Sequence, residues 1–197
     1  MICIRRARPA DATAIGAVHV ATWRTAYAGV LPDTYLAELS ALRHAAGYEQ
    51  AITDRHNGHA VFVAVASGAD APMDAATDAP TDAATVVGFV SGGRARRAWL
   101  AQGEVETLYL LDDYRDRGVG RRLMRAMAAH LAVVGCRSAM LWVLKDNPTR
   151  WFYQRLGGRP AAQEAIRFAG QAMDQLAFVW DPIETLLAAT ATAPEGY

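Results

Sequence analysis

Arg115, Arg117, Gly118, Gly120 and Arg121 crowd into one short run, and together they have the types and spacing to hold an anion. The run stands between an apolar stretch holding Val105, Leu108, Tyr109, Leu110 and Leu111, which predicts a strand, and a helix with a two-sided pattern. Gly120, Leu123, Met124, Met127, Ala128, Leu131 and Val134 share one face of that helix, and Arg121, Arg122 and Arg125 lie on another. The first N–H groups of a helix lack intrahelical partners and sit at its positive end. Glycines there let a phosphate approach the backbone. Arginines beside them add charge-assisted hydrogen bonds. A tight strand-to-helix connection with solvated arginines would look the same at this length.

The pattern excludes two common nucleotide sites. A Walker A loop needs Gly-Lys followed by Ser or Thr, and this segment has no lysine. A dinucleotide fingerprint needs a small residue three places after its second glycine, where Leu123 stands. The whole chain gives broader bounds. Its 197 residues suit one domain with a real core. Its formal net charge of +0 gives no nucleic-acid or membrane signal. Cys3 and Cys136, expected in buried strand or strand-edge positions, have no metal-ligand or disulfide spacing, so no metal is expected. No stretch is apolar over transmembrane length, and the N-terminus has no apolar signal core. A cytoplasmic location is expected.

The remaining elements must position the run. Residues 2–7 predict a strand, and Ala14, Ile15, Val18 and Thr22 predict a first helix ending near Tyr27. Trp23 and Tyr27 share a face of it, where they can pack on the core or touch a substrate. Residues 32–55 predict further helix with a break near Ser40. His59–Ala66, Val86–Gly93 and Ser138–Leu144 predict strands. Between the first two of these, residues 67–85 are almost wholly Ala, Asp, Pro, Thr and Gly, which predicts a flexible low-complexity loop. Arg94, Arg96 and Arg97 read as a solvated rim. A short helix after Asn147-Pro148 ends at Gly157-Gly158, and two strands joined at Ala169-Gly170 follow. Past Pro182 a short helix or frayed tail is expected, with 183–197 outside the domain.

Arg115-Asp116-Arg117-Gly118-Val119-Gly120 resembles motif A of the GNAT superfamily, the acyl-CoA-dependent N-acyltransferases. Asn147, Phe152, Tyr153 and Gly157 resemble that superfamily's motif B, with Gly158 in place of its usual aromatic residue. The two segments stand in the family's order. The resemblance implies an α/β (α+β) fold over residues 1–182, a central mixed, mostly antiparallel sheet of about seven strands with a splayed parallel pair, flanked by helices. It implies acetyl-CoA as cosubstrate and a small-molecule or peptide amine as acceptor, with a homodimer also open. It further implies that Leu110 and Leu111 run beside the pantetheine arm, with the Leu110 N–H of a bulged strand aimed at the thioester carbonyl. Arg115, Arg117, Gly118, Val119, Gly120 and Arg121 would hold the pyrophosphate. Asn147 would contact the pantetheine, and Tyr153 would protonate the leaving thiolate. Glu104 is the preferred base, with Glu106 as its same-face neighbour. Trp23 and Tyr27 are weak candidates for acceptor contact. The competing reading is a CoA-sensing or partner-binding module on the same fold without turnover.

Overall fold

Each apolar run buries its apolar side, so the alternating runs become strands and the helically spaced ones become helices. The computed structural model describes residues 1–70, 73–74, 79–80 and 84–191. In chain order its seven-stranded sheet contains β1 (Ile2–Arg6), β2 (Ala60–Ala66), β3 (Thr85–Arg94), β4 (Gly103–Leu110), β5 (Ala139–Leu144), β6 (Arg159–Phe168) and β7 (Gln171–Trp180). The helices are α1 (Ala12–Ala26), α2 (Asp33–Ala37), α3 (Ala41–Asp54), α4 (Val119–Val133), α5 (Arg150–Arg155) and α6 (Glu184–Ala189). Spatially the strands run β1-β2-β3-β4-β5-β7-β6. Every neighbouring pair is antiparallel except β4 and β5, which run parallel. The mixed, mostly antiparallel sheet with its parallel pair is therefore present.

The helices cover both faces of this sheet. On one, α4 and α6 pack Leu123, Met124, Met127, Leu131 and Leu186 against Val105, Leu141 and Trp180. Burying each large α4 side chain contributes roughly 1.5–3 kcal/mol. On the other, α1 and α3 pack Ile15, Val18 and Ile52 against Val63 and Phe89. The break expected near Ser40 is there, because the Ser40 Oγ accepts the Arg43 N–H at 3.3 Å and caps α3.

Some expectations change. Cys3 is exposed on edge strand β1, while Cys136 is buried. The arginines at and just after the end of β3 are exposed, as expected of a solvated rim, and each also has a partner: Arg94 bonds the Val134 carbonyl, Arg96 pairs with Glu104, and Arg97 pairs with Glu164. Of the expected loop, 71–72, 75–78 and 81–83 lie outside the described residues, as does 192–197. Between those limits α6 forms, and Leu186 is fully buried in the core.

Candidate active site

The site exists because β4 and β5 part company. They are in register only at Gly103↔Ala139 and Glu104↔Met140, and beyond that point they diverge. On the other edge of β4, Ser91 pairs with Thr107 but Gly92 pairs with Val105, so Glu106 is the extra residue of a β-bulge. Downstream the Leu111 N–H donates to the Val87 carbonyl at 2.9 Å. Antiparallel bonding alternates, so the Leu110 N–H, opposite Gly88, faces the gap left by the divergence. Gly88 permits this close pairing, since a Cβ there would stand 2.6 Å from the Leu110 Cδ1 and 2.9 Å from the Tyr109 carbonyl oxygen.

The gap is a cleft of about 620 Å³ that reaches both faces of the sheet. Its α4 end is made largely of backbone. Gly118 is the N-cap at φ +74°, a left-handed conformation that glycine adopts without strain. The Arg122 N–H bonds back to the Gly118 carbonyl at 3.1 Å, leaving the N–H groups of Val119, Gly120 and Arg121 ahead of the first helical bond. Arg115 and Arg121 line this end, and Asp112 holds the Arg115 guanidinium at 2.7 Å. Phe152 of α5 lies over Gly120, where a Cβ would meet its ring at 3.5 Å.

The α1 end is made of side chains. Trp23 and Tyr27 stack edge to face, with ring centroids 5.0 Å apart, and Phe168 lies 5.5 Å from Trp23. The Asn147 Nδ2 donates to the Tyr27 hydroxyl at 3.2 Å, while its Oδ1 accepts from the Thr149 N–H and hydroxyl at 2.9 and 2.6 Å. Tyr153 is only 7% exposed, and burial pushes its phenol well above the ordinary tyrosine range. It is therefore protonated at neutral pH. Glu106 also lines the cleft and pairs with the His59 Nε2 at 3.1 Å. That hydrogen bond holds the Glu106 carboxyl below its usual range, against the opposing effect of burial.

Comparison with known proteins agrees with this geometry. Residues 86–167 match the family model described as FR47-like protein. The chain is 28% identical over 187 residues to the Bacillus subtilis (strain 168) protein named as an uncharacterized N-acetyltransferase, YuaI, covering 94% of this chain and 96% of that one. The fold matches PaiA N-acetyltransferase from Thermoplasma acidophilum in complex with coenzyme A, at a TM-score of 0.62 and 16% identity over 89% of this chain and 98% of that one. It also matches YncA from Salmonella typhimurium with acetyl-CoA, at 0.61 and 19% over 91% and 93%. These solved structures show that the chain has the fold of known N-acetyltransferases.

Of the residues expected in a GNAT site, Leu110, Arg115, Gly118, Gly120, Arg121, Asn147, Tyr153, Trp23 and Tyr27 line this one cleft. Others do not. Arg117 turns away, over the Tyr114 ring at 5.5 Å and 3.8 Å from Asp70. The Val119 side chain is in the core at 1% exposure, so only its backbone N–H is available. Leu111 is tied to β3 through its N–H and packs on the core. The bulge is at Glu106 and not at Leu110.

The largest correction concerns the base. Glu104 sits where β4 is paired on both edges, opposite Gly93 and Met140, so no gap reaches it. Its carboxylate is 3% exposed and bonded to Arg96, with the Nη2 at 2.7 Å and the backbone N–H at 3.2 Å. Glu106 takes the cleft position because the bulge interrupts the alternation that puts Glu104 and Glu106 on one face. His59 and Arg155 were not anticipated. His59 stands just ahead of β2, 47 residues from Glu106, and no local spacing links the two.

Proposed function

We propose that the protein transfers the acetyl group of acetyl-CoA to a primary amine of a small molecule or peptide, by direct attack with both substrates bound. The α4 end fits a pyrophosphate by its own chemistry. Unbonded N–H groups, positions without side chains at Gly118 and Gly120, and the guanidinium groups of Arg115 and Arg121 converge there. When bound, acetyl-CoA supplies the thioester from which the acetyl group moves.

The chain's own residues would do the rest. The Leu110 N–H donates a hydrogen bond to the thioester carbonyl oxygen, favouring the negative charge that grows there during attack. The walls hold amine and carbonyl together, which converts a bimolecular encounter into a local one. Glu106, ionised through the neutral range, attracts the incoming ammonium and takes its proton, directly or through water. The C–S bond breaks as the C–N bond forms, and the Tyr153 hydroxyl gives its proton to the departing sulfur. Asn147 steadies the arm between the two ends and orients Tyr27.

One observation carries this reading: the Leu110 N–H, Glu106, Tyr153 and the α4 N-terminus open into a single cleft. Titration calorimetry with acetyl-CoA, NAD and ATP tests it first. Selective acetyl-CoA binding, weakened by a change at Gly118 or Gly120 and followed by thiol release with an amine, is the expected result. No acetyl-CoA binding by the folded protein would overturn it.

A further inference from the structure

The two ends of the cleft carry opposite kinds of surface, and the difference selects an acceptor. Among the described residues, five charged side chains line the cleft: Glu106, Arg115, Asp116, Arg121 and Arg155. Arg115, Asp116 and Arg121 belong to the turn into α4. Arg155 follows Phe152 by three places on α5, and Phe152 rests on Gly120, so Arg155 belongs to the same end. Glu106 is therefore the sole charged lining side chain on the α1 side among the described residues.

The Glu106 carboxylate is bonded to His59, with Arg96 nearby, and neither of these lines the cleft, whose α1 side is otherwise walled largely by rings. Trp23 lies 6.4 Å from Tyr109 by ring centroid, and Tyr27 and Phe168 lie closer still. The carboxylates of the β6–β7 hairpin pair with cations from elsewhere in the chain, and the hairpin's Arg167 does not line the cleft. Lys145 pairs with Asp174 at 3.4 Å, and Arg97 pairs with Glu164. None of these four lines the cleft.

Resting on the acetyl-transfer reading above, we propose that the acceptor is a primary amine on an apolar or aromatic body with neither a carboxylate nor a second ammonium group. One ammonium finds one carboxylate and several aromatic faces, which attract a cation held beside them. A substrate carboxylate at this end would be desolvated next to Glu106, and the cationic groups nearest that carboxylate, His59 and Arg96, do not line the cleft to receive it. A second ammonium would be buried with no anion to receive it. Discrimination of this kind works by leaving the wrong substrate's charge unpaired.

The test uses the whole protein with saturating acetyl-CoA and follows thiol release. Hexylamine and 2-phenylethylamine represent the class, L-phenylalanine adds a carboxylate, and spermidine adds further ammonium groups. The better class member should exceed both others in kcat/KM by at least about tenfold. Phe168→Leu should raise KM for 2-phenylethylamine and leave acetyl-CoA affinity unchanged. A preference for L-phenylalanine or spermidine overturns the acceptor class and leaves acetyl transfer standing. If no amine raises thiol release although acetyl-CoA binds, the acetyl-transfer reading itself fails, and the acceptor class falls with it.

Discussion

At the α4 end the cleft presents backbone N–H groups, glycines and arginines, while at the α1 end it presents rings and one carboxylate. The first kind of surface recognises a pyrophosphate whatever else the ligand carries, because it reads charge through atoms that every residue has. The second reads shape and the count of charges, and it depends on which side chains fold against one another. Substitutions at the α1 end should therefore act on acceptor use and chemistry, and those at the α4 end on acetyl-CoA affinity.

The neighbouring carboxylates Glu104 and Glu106 give the strongest test of that division. Glu106→Gln should lower kcat/KM by about a thousandfold, the scale of a lost general base, with acetyl-CoA affinity kept. Glu104→Gln should do the reverse. It leaves kcat/KM near wild type but costs about 1–2 kcal/mol of stability, because a buried acceptor loses its charge while its partner Arg96 is largely exposed. Thermal unfolding and steady-state kinetics on both variants read the contrast. Equal kinetic losses would mean that the bulge does not decide which carboxylate faces the cleft.

Tyr153→Phe comes next, with an expected loss of about a hundredfold in kcat and little change in acetyl-CoA binding. It removes one hydroxyl from a packed helix and keeps the ring, so a fall in binding instead would make Tyr153 a wall and not a donor. Gly118→Ala is smaller and falls on the other end. Open space surrounds the position, so the strain is the left-handed φ of +74° alone, about 1 kcal/mol; relaxing it turns the N–H groups of the α4 start away from the ligand, read as a several-fold weaker Kd for acetyl-CoA in calorimetry.

The same contrast explains how much of the molecule could be read beforehand. The α4 end is local: strand, turn and helix are continuous in sequence, and the glycine spacing is the geometry. The sheet and its parallel pair follow from apolar runs and from the two motif segments. The α1 end is assembled from α1, β4, β5, α5 and β6, whose contacts span most of the chain, so its charge pattern has no sequence signature. The Glu104 expectation failed at a single inserted residue, since alternation predicts a side chain's face only until a bulge shifts it. Arg117 failed differently. Its place in the motif suggests a phosphate contact, but the Tyr114 ring and Asp70 draw it to the other side.

The smallest expected effect concerns pH. The His59 hydrogen bond is the main cause holding the Glu106 carboxyl below its ordinary value of 4.5, with Arg96 helping and burial opposing. Tyr48, Asp54, Arg55, His56 and Arg94 also stand around the pair. A carboxyl with a depressed folded pKa contributes stability above the unfolded value, and that stability is lost as pH falls through the folded value. Wild-type Glu106 is thus ionised at every pH above about 4.5. In His59→Leu the main lowering influence is gone while burial remains, so the carboxyl rises. The acid limb of kcat/KM set by this group should move upward, with acetyl-CoA affinity at pH 8 unchanged. An unmoved limb in a folded variant would place the proton-accepting group somewhere other than Glu106.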